Sequence, residues 1–170
     1  MLKIYFTMLT KSLAEPRKFF SQMSPDTGFG KPLGYLLISS IFFSTASALA
    51  TVTVNPVLCI SLYITNAVGM TLISALLGYI LIFVIKGGRN IAFSHVFGIY
   101  AISSGTTLLA AWIPYFIIFT EPWKWWLIGT GMTKSCRLSC IQAVVVIGVS
   151  IGMIVCAFRF VLPLTFHSPV

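Results

Sequence analysis

Few side chains in this sequence could do acid–base chemistry. The acidic residues are Glu15, Asp26 and Glu121, and the histidines are His95 and His167. Catalysis needs polar groups that converge in one pocket, and the sequence pattern pairs none of these acids with a base. We therefore predict no catalytic residue and a protein that is not an enzyme.

The spacing of Cys136 and Cys140 raises the question of a metal site. Residues four apart share one face of a helix, and we place His95 on the same side of the membrane, so a metal or haem site is one interpretation. A structural zinc site normally has four ligands. We therefore favour small thiols packed at a helix end and predict neither a metal nor a cofactor.

The composition is typical of a membrane protein. Of 170 residues, 58% are hydrophobic and 8% are charged, whereas soluble domains carry about 25% charged residues. Eleven basic residues against three acidic ones give a net charge of +8. The basic residues stand in short segments between apolar runs, which indicates positive-inside topology rather than nucleic-acid binding. We predict an all-α polytopic transmembrane bundle.

Five apolar segments are candidates for the spans of this bundle, which we place within residues 32–170. About 20 apolar residues cross a bilayer. The predicted spans are 33–54, 61–85, 93–119, 123–133 and 138–162, and residues 120–124 are predicted to form an interfacial loop at the start of the fourth. The fourth is too short for a hydrocarbon core of about 30 Å. It must be half-inserted, borrow residues upstream of Glu121, or lie where the bilayer thins.

Residues 1–31 are predicted to form a cytoplasmic amphipathic leader. Apolar residues recur there between Lys3, Lys11, Arg17 and Lys18. This pattern suits one or two short helices in the headgroup plane, broken at Pro16. A disordered basic tail is the alternative.

The basic residues also favour one topology, with the N-terminus in the cytoplasm and the C-terminus outside. Five crossings place every basic cluster on one side, whereas four would leave Lys134 and Arg137 outside. We predict that the resulting cytoplasmic basic face binds anionic headgroups or docks a partner, although orientation alone explains its charge. Its residues are Lys11, Arg17, Lys18, Lys31, Lys86, Arg89, Lys134 and Arg137.

Small residues at helical spacing are predicted to pack helices together. Gly148 and Gly152 form a GxxxG pair in the last span, and Ala46 and Ala50 have the same spacing in the first. Small side chains let helix backbones approach closely in lipid. Contacts within the bundle and contacts with another chain are both open interpretations.

Several stretches, in the same order along the chain, resemble the Yip (Ypt-interacting protein) domain family of small five-span membrane proteins. They are a Pro16-x-x-Phe19-Phe20 entry within 15–23, a lead-in at 28–36, the 86–89 loop before a span with His95, Phe97 and Tyr100, and 129–134 leading into 142–144. The region between spans three and four is compressed relative to the family.

The resemblance implies a five-span helical fold and, in eukaryotic relatives, Rab-type GTPase binding and vesicle traffic. Those relatives carry a longer soluble N-terminal region. The short leader here is more similar to the prokaryotic branch, which implies a cytoplasmic (inner) membrane and no defined activity.

Two functions follow as hypotheses. The first is a non-enzymatic scaffold or accessory subunit that holds another membrane protein or a second copy in an anionic bilayer. The alternative is a small permease or lipid-handling protein, with the short fourth helix and its Trp-rich loop as a gate or re-entrant element. A proton-coupled transporter is not favoured, because no predicted span has a central charge. This alternative predicts a polar cavity lined by Asn66, Ser74, Ser103, Ser104, Thr106 and Thr107.

Overall fold

The computed structural model describes residues 2–23, 28–50, 55–87, 91–113 and 115–166, and these ranges contain seven helices and no strand. Arg89, Asp26 and His167, which the sequence analysis considers, lie outside these ranges. The helices are α1 (Leu2–Ala14), α2 (Pro16–Ser21), α3 (Gly30–Ala50), α4 (Pro56–Ile85), α5 (Phe93–Ala111), α6 (Ile117–Ser135) and α7 (Cys140–Phe166).

Helix α5 lies at the centre of the bundle. It packs against α1, α3, α4 and α6, and every residue from 95 to 107 is buried. Helix α3 also packs on α4, α7 packs on α4 and α6, and α2 packs on α6 and α1. Four of the other six helices therefore contact α5 directly, and α2 and α7 pack on those four.

Three helices are long and apolar enough to cross a membrane, namely α3, α4 and residues 140–159 of α7. Their outward faces are apolar, with Leu49 81% exposed, Val84 69% and Val144 68%. Exposing such large apolar surfaces to water is unfavourable, whereas contact with lipid tails is not. The chain is thus a membrane-embedded helical protein. Crossing by α5 and α6, and hence five spans, remains a prediction.

The middle of the chain differs from the predicted spans. Helix α5 ends at Ala111 rather than near 119, the chain turns with Tyr115 at a φ of 65°, and α6 begins at Ile117. Glu121 and Pro122 are helical rather than part of a loop. Pro122 is the sixth residue of α6 and lies inside the helix, so it has no amide hydrogen to donate to the carbonyl of residue 118.

The longer α6 explains how the compressed region is built. Its 19 residues extend about 28 Å as an α-helix, close to the thickness of a hydrocarbon core. The sequence analysis gave three explanations for the short fourth span. The structure agrees with the second, because α6 begins at Ile117, upstream of Glu121.

The leader forms two helices that separate at Pro16, where the sequence analysis places the break. Helix α1 is held against the bundle by hydroxyl groups. Tyr5 and Ser39 share a hydrogen bond of 3.0 Å, and Thr106 makes bonds of 3.0 Å with both Ser12 and Tyr35. These five residues, termed the hydroxyl network, are all buried and join α1 to α3 and α5.

The close helix contacts lie at α5 rather than at the predicted GxxxG pair. A Cβ at Gly105 would lie 2.7 Å from the Tyr35 ring, so α3 and α5 approach closely there. Gly148 and Gly152 are exposed, and no described atom lies within 4 Å of a Cβ built on either. In the described part of the chain this pair does not lie at a helix contact, because its face of α7 points away from the other helices.

The alanine pair of the first span is also not a buried contact. Ala46 is half-buried and Ala50 is exposed at the end of α3. The buried small residues of this helix lie on its opposite side instead, and include Ser40, Ser44 and Ala48.

Candidate functional site

A cavity of about 360 Å³ lies between α4, α5 and α6, with single residues of α3 and α7 at its edge. We call it the polar cavity. Four of the six residues predicted from the sequence line it: Asn66, Ser74, Ser104 and Thr107. Thr106 belongs to the hydroxyl network, and Ser103 does not line the cavity. The other polar residues of its wall are Thr71, Tyr100, Thr120, Glu121 and Lys124.

Helical spacing aligns the polar residues of each wall. Residues three and four apart share a helix face, which brings Tyr100, Ser104 and Thr107 together on α5. On α4, Asn66 and Ser74 are two turns apart, so they face the same side. The polar residues of both helices therefore lie along the sides that face the cavity.

The cavity also contains an ion pair. Lys124 Nζ donates to both carboxylate oxygens of Glu121, at 2.7 and 2.6 Å. The Lys124 side chain is 21% exposed and that of Glu121 is 48% exposed. Lys124 Nζ also lies 5.2 Å from the centre of the Trp125 ring, a cation–π distance. Because opposite charges neutralise each other, the pair lowers the cost of charge at a membrane-embedded site.

The sequence analysis did not include Glu121 and Lys124 in the cavity because it placed both in a loop. Once both are helical, their separation of three residues puts them on one face of α6. An acid and a base three residues apart, beside a run of tryptophans, was the signal that could have identified the pair.

Several hydroxyls of the wall retain acceptor capacity. Thr71 donates to the Ala67 carbonyl at 2.8 Å, and Thr107 donates to the Ser104 carbonyl at 3.0 Å. Each threonine oxygen can still accept a hydrogen bond from a bound molecule. The buried Tyr100 hydroxyl faces Ser150, but these two groups do not reach hydrogen-bond geometry.

The structure brings part of the predicted basic face together. Lys31 lies in the first turn of α3, Lys86 follows α4, Lys134 lies in the last turn of α6 and Arg137 lies between α6 and α7. Lys86 Nζ donates to the Cys136 carbonyl, which joins the ends of α4 and α6. Lys31, Lys134 and Arg137 are exposed at this end of the bundle.

The leader contributes the other basic residues. Lys11 and Arg17 are exposed, and Lys18 forms an exposed ion pair of 3.1 Å with Glu15. Exposed pairs of this kind contribute little stability. Arg17 lies beside a second cavity, which it shares with Lys134 of α6.

Cys136 and Cys140 do not share a helix face, so that expectation is wrong. The helix breaks between them, with Arg137 at a φ of 52°. Cys136 is buried after α6, and Cys140 is exposed at the start of α7. Burial raises the pKa of the Cys136 thiol to about 11, and the nearby Lys86 opposes part of that rise. His95 Nε2 and Ser135 Oγ are 2.6 Å apart.

No protein-family model, curated protein or solved structure matches this chain. The resemblance to the Yip family therefore remains a prediction, and the geometry of the polar cavity carries the functional argument.

Proposed function

We propose that this chain is a small permease-like membrane protein that binds a small polar solute in the polar cavity. The observation that carries the proposal is a cavity of about 360 Å³ that contains an acid, a base and hydroxyls between helices of an apolar bundle. Ligand cavities typically have volumes of about 300–1,000 Å³. Polar groups inside a membrane protein usually line a pathway or a binding site.

The charge balance of the cavity favours a neutral or zwitterionic solute. Glu121 and Lys124 neutralise each other, so an ion of either sign would enter without a free counter-charge. A zwitterion such as an amino acid can place its ammonium group near Glu121 and its carboxylate near Lys124. The hydroxyls of Ser104 and Thr107 would supply further hydrogen bonds.

Water access to the cavity is the first test. In a background without the native cysteines, Ser104→Cys places a thiol in the cavity wall, and Ser103→Cys places one beside it in the buried core. We expect a small water-soluble thiol reagent to label position 104 at least about tenfold faster, because thiolates form only where water solvates them. Equally slow labelling at both positions would mean a dry cavity and would end the proposal.

Solute binding is the second test. The purified protein in mild detergent is heated with single amino acids, with simple anions or with simple cations, and its unfolding temperature is recorded. We expect zwitterions to raise that temperature and the Glu121→Gln/Lys124→Gln variant to lose the rise. Stabilisation by anions alone would contradict the assignment of a zwitterionic solute.

A second candidate function is the scaffold or accessory subunit. It is supported by Lys31, Lys134 and Arg137, which stand exposed at one end of the bundle with no acidic group within 4 Å in the described ranges. Affinity purification in mild detergent, followed by mass spectrometry, tests it. A stoichiometric partner that is lost in Lys31→Gln/Arg137→Gln supports this function, and a monomer without a partner opposes it.

We also propose a prokaryotic cytoplasmic membrane, from the resemblance, with the N-terminus inside, from the distribution of the basic residues. A reporter fused to each terminus tests the topology. A C-terminal reporter active in the cytoplasm would contradict five crossings.

A further inference from the structure

A second cavity opens between α6 and α7 at the end of the bundle where the basic residues collect. We call it the basic groove. Its volume is about 610 Å³, and Arg17 of α2 and Lys134 of α6 border it. It shares only Trp125 with the polar cavity, so what it binds does not depend on the proposed solute.

The groove has a polar end and an apolar end. Lys134 lies close to the C-terminal end of α6, and Thr133 and Thr130 precede it by one residue and about one turn. Further along the same wall stands Trp126, about 12 Å of helix from Lys134. The opposite wall is apolar and includes Val144 and Ile147 of α7. A ligand that fills this groove therefore has a polar head and a hydrocarbon tail.

The polar end of the groove is positively charged. Arg17 and Lys134 are both exposed, and no acidic side chain lies within 4 Å of either in the part of the chain that the structure describes. Glu15, the acid nearest to Arg17 in sequence, is paired with Lys18 at 3.1 Å. The start of α7 adds the positive end of a helix dipole.

We propose that the basic groove binds a phosphate-bearing anionic lipid, with the phosphate between Arg17 and Lys134 and an acyl chain along Trp126, Val144 and Ile147. Arginine forms paired hydrogen bonds with phosphate oxygens, lysine contributes a point charge, and threonine hydroxyls donate to the remaining oxygens. The apolar wall makes a membrane lipid, rather than free phosphate, the occupant.

Native mass spectrometry of the full chain in mild detergent tests this site. The protein is titrated with phosphatidylglycerol or with phosphatidylcholine, and the ratio of the two binding constants is measured. Each cation near an anionic group contributes about a fivefold preference. We therefore expect Arg17→Gln/Lys134→Gln to reduce the ratio by about 30-fold.

The matched control is Lys31→Gln/Arg137→Gln, which removes the same charge from the same end of the bundle but outside the groove. We expect the control to change the ratio by less than about twofold. An equal fall in both double variants would overturn the proposal, because it would show diffuse attraction to the whole basic end.

Inorganic phosphate separates the two sources of a phosphate group. Failure of millimolar phosphate to displace phosphatidylglycerol supports a lipid site, and full displacement would overturn it in favour of a soluble anion. A measurement on the unaltered chain guards against a misfolded variant. Phosphatidylglycerol with brominated tails should quench tryptophan fluorescence more than brominated phosphatidylcholine, and equal quenching would overturn the proposal.

Discussion

Helices α5 and α7 belong to the same bundle but face different surroundings. In α5 every residue from 95 to 107 is buried, whereas α7 exposes Ile141 by 77%, Val144 by 68% and Val155 by 60%. Helix α5 carries the polar residues Ser103, Ser104, Thr106 and Thr107, but the outer face of α7 is mostly apolar.

The difference shows that the hydropathy of a helix reflects what its side chains face, which is protein for α5 and the outside of the bundle for α7. Helix α7 has a segment apolar enough to count as a candidate span, and α5 is not among the three helices that do. Thr106 is tolerated in α5 because the protein groups Ser12 and Tyr35 form hydrogen bonds with it. On α7 the same side chains would face lipid.

The largest expected effect comes from enlarging a glycine in each helix. Gly105→Leu would force a side chain into the Tyr35 ring, and overpacking of this kind costs about 3 kcal/mol. Gly148→Leu meets no described atom within 4 Å of its Cβ and should cost less than about 0.5 kcal/mol. Unfolding of both variants in mixed detergent measures the difference, and equal losses would refute a central α5.

A smaller effect is expected within α5 itself. Thr106→Val removes the bonds to Ser12 and Tyr35 and should lower the free energy of unfolding by about 1–2 kcal/mol. The matched variant Thr107→Val removes only bonds to the backbone of its own helix, and should cost less than about 0.5 kcal/mol. The same unfolding assay applies. If the two variants lose equal stability, the hydroxyl network does not hold α1.

The smallest effect concerns the turn between α6 and α7. Burial raises the pKa of Cys136 from 9.0 to about 11, so the folded protein keeps a proton that the unfolded chain releases. Its contribution is complete below about pH 9 and is lost as pH rises towards 11, by on the order of 1 kcal/mol for the first pH unit. Cys136→Ala should flatten this part of the unfolding curve, whereas the exposed Cys140→Ala should not.

The sequence predicted the helices correctly where a long apolar run or a helix-breaking proline determines the structure. The apolar runs of α3, α4 and α7 correspond to helices that are long enough to cross a membrane. The break of the leader at Pro16 is confirmed. Four cavity residues were identified because serine, threonine and asparagine in an apolar helix need a polar surrounding.

The remainder depends on tertiary contacts that local patterns do not contain. Pro122 suggested a loop, yet it lies inside α6, and Glu121 and Lys124 thereby reach the cavity. The pattern of Gly148 and Gly152 matched a packing motif, but only the arrangement of neighbours decides which glycines are enclosed. That Cys136 and Cys140 lie on different segments follows from the helix break at Arg137, which spacing alone does not reveal.

The hydroxyl network has a consequence for the order of events during synthesis. Ser12 bonds to Thr106, a residue 94 positions later in the chain. At about 5–20 residues per second, the ribosome needs several seconds to make the missing partner. Until then, the part of the hydroxyl network that can form is the bond between Tyr5 of α1 and Ser39 of α3. Helix α1 can therefore complete its contacts with the bundle only after α5 has been synthesised, when five of the seven described helices have been made.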